Sequence, residues 1–372
     1  MKKLSVENDQ HVAVAVPALM DISSSLNCEA QFSEMPCAQT IADQTTVIEE
    51  LATLRLVHKK VQQELKCLQV ENRKLKEQLV GSKFGTVYLR SGDSDKLTSF
   101  YTGLPNFRVF LWLVTFLQDS LPMFSSLSQE DTVLLVLIKL KLNLHNFDIA
   151  NRFKVSKTTV SDVLNRCIPI MADKLKFLIH WPEREDVLRT LPRVFKPWYK
   201  NARSIIDCTE IYIDRPGNLT ARASTWSNYK HNNTLKYLVS ITPVGAISFV
   251  SCAFGGRVSD KVVTQRSGYL DLLENGDLVL ADRGFLIAEE ITSRNCYLAI
   301  PSFTKGKTQL TQQQVETSRR MSRVRIHVER AIGRLKVFGI LNGQMHLNMV
   351  PHCDSILTIC SGICNLQPKL VK

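Results

Sequence analysis

A seven-residue repeat of apolar positions marks the segment from residue 43 to residue 81. Two series of positions recur at this spacing, namely Val47, Leu54, Val61, Leu68 and Leu75, and Leu51, His58, Leu65, Asn72 and Leu79. They fit the d and a positions of a coiled coil, and Asn72 at an a position favours a paired, in-register dimer. The pattern predicts a coiled-coil homodimer. The alternative is a single amphipathic helix packed on its own domain.

The segments that flank this repeat show no sustained periodicity. Residues 1–42 mix Ser, Gln, Asn and acidic residues, a composition that predicts a disordered N-terminus. Residues 81–94 contain Gly and Ser with little apolar patterning, and we interpret them as a linker.

Residues 95–190 carry apolar residues at helical spacing and predict an all-α domain, most strongly over 107–117 and 132–144. Within this domain, residues 146–166 predict a helix, a turn and a second helix that Ser156 can cap. The polar residues of the second helix would face outward, which is how a recognition helix enters the major groove of DNA. The alternative is a helix-turn-helix unit that serves only as a packing module.

From residue 195 the pattern alternates between strand-like and helix-like segments. The predicted strands cover 204–213, 237–241, 246–252, 278–281 and 297–300, and the predicted helices cover 261–273, 286–294 and the segment around Glu329. An order of three strands, helix, strand, helix, strand, helix predicts an α/β domain over 195–372. We therefore expect a multidomain protein with a coiled coil, a helix-turn-helix domain and an α/β domain.

The charge balance points to a polyanionic partner. The 372 residues carry a net charge of +12 at pH 7, which favours nucleic acid or an anionic membrane surface. No apolar run reaches the length of a bilayer span, and the N-terminal Met-Lys-Lys leads into no signal-peptide core. The ten cysteines include no C-x-x-C pair, so neither a zinc ribbon nor a disulfide framework is predicted. We expect a soluble, intracellular protein.

Three acidic residues stand where metal chemistry could be placed. Asp207 and Asp282 each occur where an apolar, strand-like run stops, and α/β folds usually carry their chemistry at strand ends and in the loops after them. Glu329 lies among basic residues on a predicted helix. Two aspartates and a helical glutamate could together hold two divalent metal ions.

The helix that carries Glu329 is predicted to be amphipathic. Val328, Ile332 and Leu335 form an apolar stripe, and Glu329 lies on a different face together with Arg325. Such a helix can pack on one side and expose functional groups on another. The alternative for Glu329 is an intrahelical ion pair with Arg325.

The order Asp, Asp, Glu across strand, strand and helix resembles the core of DDE transposases. More narrowly, five motifs resemble the DDE endonucleases of PIF/Harbinger-type and neighbouring eukaryotic transposons: IDCTE, STWSNYKHNNTLKYLV, GGRVSD, ADRGF and RIHVERAIGRLK. The resemblance covers roughly residues 95–372. Because the motifs fall in one order, it is far more specific than any single acidic residue.

The resemblance implies an RNase H-like fold for the α/β domain and a divalent metal cofactor, Mg²⁺ or alternatively Mn²⁺. Asp207, Asp282 and Glu329 would be the metal ligands and catalytic residues of a DNA endonuclease or transposase that cuts by two-metal hydrolysis and could perform strand transfer. Double-stranded DNA such as transposon ends, an accessory DNA-binding protein and a nuclear location are also implied. The THAP-type zinc finger of such transposons is not evident, since Cys28 and Cys37 do not supply its ligand pattern.

Candidate DNA contacts fall into three groups. The exposed face of the proposed recognition helix carries Lys157, Thr158, Thr159 and Ser161. Aromatic and basic residues interleave, as on surfaces that bind single strands, at Trp226, Tyr229, Lys230 and His231, where the alternative is a structural loop. The basic residues that neighbour the three acids are Arg283, Arg323, Arg325, Arg330, Arg334 and Lys336.

Three other functions are each suggested by part of the sequence. A domesticated DNA-binding protein would keep the fold and the basic surface without cutting DNA. A coiled-coil scaffold with no nucleic-acid partner would leave the basic helix unexplained. Residues 301–308 resemble the tail of a phosphate-binding loop, but Pro301 stands at the first glycine position, so nucleotide hydrolysis is not predicted.

Overall fold

The computed structural model describes residues 38–82, 84–91, 93–301 and 311–371. Most of the N-terminal segment predicted to be disordered lies outside these residues, and so does most of the phosphate-loop-like segment 301–308. No helix in the described part of the chain is long and apolar enough to cross a membrane.

The chain divides into two compact units, residues 1–76 and residues 77–372. Helix α1 (Ala38–Ser82) carries the seven-residue repeat. Apolar side chains of the repeat are exposed along this single chain, and Leu65, for example, is 56% exposed. A row of exposed apolar side chains on a long helix is the surface that a coiled-coil partner covers. Homodimerisation through α1 stays a prediction.

A series of shorter helices follows α1. They are α2 (Thr86–Arg90), α3 (Ser94–Thr102), α4 (Phe107–Leu117), α5 (Gln129–Leu142), α6 (Asn146–Phe153), α7 (Lys157–Leu175) and α8 (Arg184–Arg189). The linker predicted over 81–94 is wrong in part, because α2 lies within it. Its first residue, Thr86, donates two hydrogen bonds to Asp131 Oδ1 at 2.7 and 2.8 Å, and Leu89 is buried in the core.

The predicted helix-turn-helix is formed by α6 and α7. Ser156 caps α7 as predicted, and its hydroxyl accepts a hydrogen bond from the Thr159 N–H at 3.0 Å. Helix α7 continues beyond the predicted end at residue 166, because buried apolar positions recur in its second half at Ile168, Met171 and Leu175.

The remaining elements form a mixed sheet with helices packed on it. The strands are β1 (Ala202–Tyr212), β2 (Trp226–Ser227), β3 (Asn232–Ile241), β4 (Ile247–Val250), β5 (Phe254–Gly255), β6 (Leu278–Leu280) and β7 (Tyr297–Ala299). The helices are α9 (Leu219–Thr225), α10 (Asp260–Arg266), α11 (Ala288–Thr292), α12 (Gln312–Lys336), α13 (Gly339–Asn342) and α14 (Cys353–Asn365). Short 3₁₀ segments cover Lys176–Leu178, Tyr269–Leu272 and Leu347–His352.

The strand order in the sheet is β2-β3-β1-β6-β7, and β4 and β5 also pair with β3. Strands β1 and β3 are antiparallel, whereas β1, β6 and β7 run parallel. The predicted alternation of strands and helices is present. The strands that lead to the two aspartates, β1 and β6, are direct neighbours.

Alternate residues of β1 face two different apolar layers. Ile205 and Ile211 belong to a core that includes buried residues of α12 and α14. Ile206 belongs to a second core with Val263 of α10 and Ile291 of α11. The first core also contains buried residues of α4, α5 and α7. The helix-turn-helix and the sheet therefore share one hydrophobic core.

Replacing Leu65, an a position of the repeat, with Asp should dissociate the predicted dimer, because a charge in an apolar seam is desolvated without a partner. Sedimentation velocity on the full chain should then show a monomer. The matched control Gln63→Asp adds the same charge at an outward f position and should leave the mass unchanged. A parent protein that is already monomeric at micromolar concentration, or an L65D variant with the parent's mass, would contradict the coiled coil.

Candidate active site

The sheet has a step at the point where β6 ends. Strand β6 pairs with β1 only as far as Leu280, opposite Ile205, whereas β1 continues to Tyr212 alongside β3. Asp207 lies two residues beyond Ile205, the last residue of β1 that pairs with β6. Asp282 lies two residues beyond the end of β6. The apolar run of the sequence stops at Asp207, but β1 continues to Tyr212, close to the predicted strand end at residue 213. The strand that ends beside Asp207 is its neighbour β6.

Helix α12 places the third acid beside this step. Its buried residues lie in a stripe along one side of the helix and are Met321, Val324, His327, Val328, Ala331 and Leu335. Glu329 lies outside this stripe, with a side chain that is 51% exposed. Ile332, which was expected in the apolar stripe, is half-buried and lines the same cavity as Glu329.

An open cavity of about 800 Å³ brings the three acids together. Its acidic lining residues are Asp207, Glu210, Asp260, Asp282 and Glu329, and its basic lining residues are Lys230, Lys236 and Lys336. Carboxylates at this density disfavour one another's charged forms unless cations are close. The distribution of cations around the cavity is therefore central to what it can bind.

Arg325 lies between two of the three predicted ligands. Its Nη2 is 2.9 Å from Glu329 Oε1, and its Nη1 is 3.7 Å from Asp282 Oδ1. The side chain is 18% exposed, and its buried Nε has no hydrogen-bond partner among the described residues. The intrahelical pair considered as the alternative for Glu329 is thus present. This ion pair does not exclude metal binding by Glu329, because the same glutamate also lines the cavity.

The donor set suits a hard divalent cation, since carboxylate oxygens are the ligands that Mg²⁺ and Mn²⁺ prefer. The carboxylates are nevertheless engaged elsewhere. The Cys208 N–H donates to Asp207 at 2.9 Å, and the Arg283 N–H donates to Asp282 at 2.7 Å. Within the described ranges, no group of three or more His, Cys, Asp or Glu side chains is arranged to hold a metal ion.

Asp207 is the acid whose protonation is most affected by its surroundings. Burial raises the pKa of Asp207 to about 6, and the carboxylates of Asp282 and Asp260 add to the increase. The Cys208 N–H and the Arg325 guanidinium act in the opposite direction. A buried carboxylate among other carboxylates is stabilised in its charged form by a nearby cation.

Lys236 organises the carboxylates on another wall of the cavity. It lies on β3 directly opposite Glu210 of β1. Its Nζ donates to the Val258 carbonyl at 2.9 Å and to Asp260 Oδ1 at 3.1 Å, and it lies 3.5 Å from Glu210 Oε1. Burial lowers the pKa of Lys236, but Asp260 and Glu210 hold it above its usual value. Lys236 therefore cross-links β1, β3 and the start of α10. The pairing of Glu210 with Lys236 could not be predicted from the sequence, because it depends on the register of β1 against β3.

Lys336 lines the cavity, but its ammonium is engaged with the backbone. Its Nζ donates to the Glu210 carbonyl at 2.5 Å and to the Leu341 carbonyl at 2.8 Å. The first of these bonds satisfies a carbonyl on the part of β1 that extends beyond β6. Burial and the charge of Lys230 lower the pKa of Lys336 to about 8. These contacts give Lys336 a structural role at the step in the sheet.

The interleaved aromatic and basic residues form a hairpin at the rim of the cavity. Strand β2 pairs with β3, and the intervening turn contains His231 in a left-handed conformation with φ 51°. Tyr229 is 81% exposed, and Lys230 Nζ lies 4.6 Å from the centre of its ring. Both residues line the cavity, and the ring of Trp226 is exposed nearby on β2.

The exposed arginines of α12 lie on a different side of the helix from Arg325. Arg319, Arg323 and Arg330 are exposed. Arg330 follows Glu329 directly, so the two side chains point about 100° apart around the helix axis. The three arginines span about 16 Å along α12. This row, rather than the cavity wall, is the basic face that α12 presents to solvent.

Two further arginines from the sequence analysis have different surroundings. Arg283 is exposed and directly follows Asp282. Arg334 is half-buried, and its Nη1 donates to the Pro368 carbonyl at 2.7 Å. Arg334 therefore holds the C-terminal segment against α12.

The proposed recognition helix exposes only part of its predicted contact set. Lys157 and Thr158 are exposed at the start of α7. Thr159 is half-buried, and its hydroxyl lies 2.8 Å from that of Ser156. Ser161 accepts a hydrogen bond from Asn146 Nδ2 at 3.3 Å, which ties α7 to the start of α6.

Family models match both parts of the larger unit. Residues 206–365 match the model described as DDE superfamily endonuclease, and this range contains Asp207, Asp282 and Glu329. Residues 125–177 match the model described as the helix-turn-helix of DDE superfamily endonuclease. The matches support a DDE superfamily, transposase-like endonuclease. No curated protein and no solved structure matched the chain.

The match to the endonuclease model agrees with the geometry of the cavity, which joins acids from three separate elements. The match to the endonuclease model begins inside β1 and extends through α14. The match to the helix-turn-helix model covers α6 and α7. Both the acidic cavity and the DNA-binding candidate therefore fall within the matched ranges.

The raised pKa of Asp207 predicts that Asp207→Asn stabilises the folded protein to an extent that depends on pH. Because the folded protein favours the protonated acid, the stability that Asp207 contributes falls as pH rises from about 4 to about 6. Without metal at about pH 7.5, the free energy of unfolding of D207N should therefore exceed that of the parent by on the order of 1–3 kcal/mol, which a higher melting temperature would show. At about pH 4 the two proteins should melt together.

The control for this experiment is Asp271→Asn, which alters an exposed acid outside the cavity. Its effect on the melting temperature should be small at both pH values. A D207N variant that is less stable than the parent at about pH 7.5 would contradict the raised pKa of Asp207.

Proposed function

We propose that this protein is a transposon-derived DDE endonuclease or transposase of the PIF/Harbinger-like type, which cuts DNA phosphodiester bonds by two-metal hydrolysis and performs strand transfer. One observation carries the proposal. Asp207 on β1, Asp282 after β6 and Glu329 on α12 line the same open cavity. The order and placement of these acids are those that the family resemblance implies. The strand order of the sheet supports an RNase H-like fold.

Asp207, Asp282 and Glu329 would hold divalent ions, Mg²⁺ in the first instance and Mn²⁺ as an alternative. When bound, such ions supply activation of water and charge stabilisation of the leaving oxygen. The all-carboxylate donor set and the raised pKa of Asp207 both favour a cation at this place. Lys236 keeps Glu210 and Asp260 in position on the neighbouring wall, so that the cavity retains its shape.

The DNA would be bound by basic surfaces around the cavity. Tyr229 and Lys230 form the rim, where an aromatic ring and an ammonium can stack on bases and neutralise phosphates. The exposed arginine row of α12 can follow a phosphate backbone. Lys157 and Thr158 are exposed at the start of α7, which supports the proposal that α7 is a recognition helix. Sequence preference would then come from α7, and affinity from the arginines and lysines.

The proposal includes a homodimer and a possible accessory protein. The repeat of α1 would pair two chains, which brings two cavities to one DNA substrate such as a pair of transposon ends. An accessory DNA-binding protein could add target recognition, since no THAP-type finger pattern is evident in the sequence. If its substrate is a eukaryotic transposon, as the resemblance implies, the protein would act in the nucleus.

A domesticated, non-cutting DNA-binding protein is the second candidate. The contact of Arg325 with two of the three acids favours it, because an arginine can take the place of a metal ion in balancing carboxylates. Retention of all three acids in one cavity favours the nuclease instead.

Replacing Asp207, Asp282 or Glu329 with Ala should each abolish Mg²⁺-dependent nicking of a supercoiled plasmid. We expect a loss of roughly a hundredfold or more, because a missing ligand removes several kcal/mol of charge stabilisation. Asp271→Ala is the control and should nick at the parent rate. If one of the three variants cuts as fast as the parent, that residue is not a catalytic ligand. A folded parent protein that never nicks would instead favour the non-cutting candidate.

The two DNA-binding regions should respond differently to mutation. Arg323→Gln and Arg330→Gln should weaken binding to all duplexes and reduce the slope of log affinity against log salt by about 0.9 for each lost phosphate contact. Thr158→Ala should reduce the preference for a candidate end sequence with little change in that slope. Fluorescence anisotropy titrations on two duplexes at several salt concentrations measure both effects. Equal affinity of T158A and the parent for both duplexes would make α6 and α7 a packing module.

A further inference from the structure

Arg325 lies beside the cavity and is held by few hydrogen bonds. Its contact with Asp282 is 3.7 Å long, beyond hydrogen-bond distance. Its Nε is buried without a hydrogen-bond partner among the described residues. An unpaired buried donor costs free energy, and a guanidinium that keeps few strong hydrogen bonds loses little by moving.

Two lysines near the acids, Lys236 and Lys336, are fixed by several partners. Lys236 has a carbonyl and two carboxylates around its ammonium, and Lys336 donates to two carbonyls. Arg325, by contrast, is held mainly by the charges of Glu329 and Asp282. It also lowers the pKa of Asp207 through its charge. All three predicted ligands therefore interact with the same guanidinium.

A divalent ion and this guanidinium compete for the same oxygens. Magnesium binds carboxylate oxygens at about 2.0–2.1 Å and carries two positive charges. Glu329 Oε1 already has Arg325 Nη2 at 2.9 Å. Two cations on the same pair of carboxylates repel each other, so binding of one disfavours the other.

We propose that Arg325 is an internal counter-cation that balances Asp282 and Glu329 until divalent ions bind, and that the released guanidinium then binds a phosphate of the DNA. This inference rests on the proposed function and deepens it, because it couples metal binding to substrate binding at one residue. Arg325 contacts the substrate in this scheme and takes no part in bond making.

The destination of the guanidinium follows from its chemistry. Arg325 lies on α12 beside the cavity, so a displaced side chain stays near whatever occupies that cavity. DNA brings phosphates there, and arginine binds a phosphate through two parallel N–H donors. The guanidinium thus exchanges a pair of carboxylates for a phosphate, and both of these partners are anionic. The guanidinium therefore remains paired before and after metal binding.

This exchange makes the two binding events cooperative. If bound metal frees Arg325 for DNA, then metal increases the affinity for DNA, and DNA must increase the affinity for metal by the same factor. Removing the guanidinium should have two opposite effects. It should strengthen metal binding in the absence of DNA, and it should abolish the dependence of DNA binding on metal.

Arg325→Gln tests both effects on the full-length protein. Isothermal titration calorimetry with Mn²⁺ and no DNA should give a dissociation constant about tenfold lower for R325Q than for the parent. Anisotropy of a labelled duplex, with Ca²⁺ in place of Mg²⁺, should show that metal tightens DNA binding by the parent about tenfold and by R325Q hardly at all. The control is Arg320→Gln, which removes a similar intrahelical pair, with Glu316 at 2.9 Å, from the same helix. R320Q should bind Mn²⁺ as the parent does.

Several results would overturn the inference. One is an R325Q variant that binds Mn²⁺ no more tightly than the parent, and another is parent affinity for DNA that does not depend on metal. If R325Q fails to fold by thermal melting, Arg325→Lys replaces it. R325K keeps the charge and should bind Mn²⁺ like the parent, but without the two-donor fork it should lose most of the coupling. Mn²⁺ binding and nicking by the parent, with no effect at Arg325, would leave the proposed function standing. A parent that binds no metal and never nicks would remove both.

Discussion

The acidic cavity depends on the unequal lengths of two paired strands. Strand β6 stops at Leu280, while β1 runs on to Tyr212. The parallel pairing fixes the register, so Asp207 and the Asp282 that follows β6 meet at the step that this mismatch leaves. Helix α12 packs its apolar stripe on the first core and presents Glu329 to the same step. A longer β6 would cover the edge of β1 where the acids now face the cavity.

The step also explains how the charges around it are arranged. Carboxylates are concentrated where β1 has lost its neighbour, and each group of them is balanced differently. Glu210 and Asp260 have a permanent counter-ion in Lys236, and the exposed backbone edge is satisfied by Lys336. The three acids of the DDE pattern are balanced by Arg325, which is held more loosely. The cavity thus contains one fixed cluster and one whose cation can be exchanged.

Sequence patterns identified the elements whose signals are local. The cap at Ser156, the strand containing Asp207 and the helix containing Glu329 all follow from propensity and periodicity within a short window. The acids could be grouped only through the family resemblance, because no local pattern shows that β1 and β6 are adjacent.

Interactions between distant residues could not be predicted in this way. The pairing of Glu210 with Lys236 depends on the register of β1 against β3. The engagement of Lys336 with a strand carbonyl depends on where β6 ends. For Arg325, helical spacing predicted its contact with Glu329, but its approach to Asp282 required the packing of α12 beside the sheet.

The proposed activity requires that Asp207, Asp282 and Glu329 together hold divalent metal. Replacing Mg²⁺ with Fe²⁺ tests it directly, since Fe²⁺ with ascorbate and peroxide produces hydroxyl radicals that cut the polypeptide near the bound ion. We expect fragments that end near residues 207, 282 and 329, and we expect these fragments to disappear when excess Mg²⁺ competes. Cleavage concentrated elsewhere in the chain, or fragments near these acids that persist in excess Mg²⁺, would contradict it.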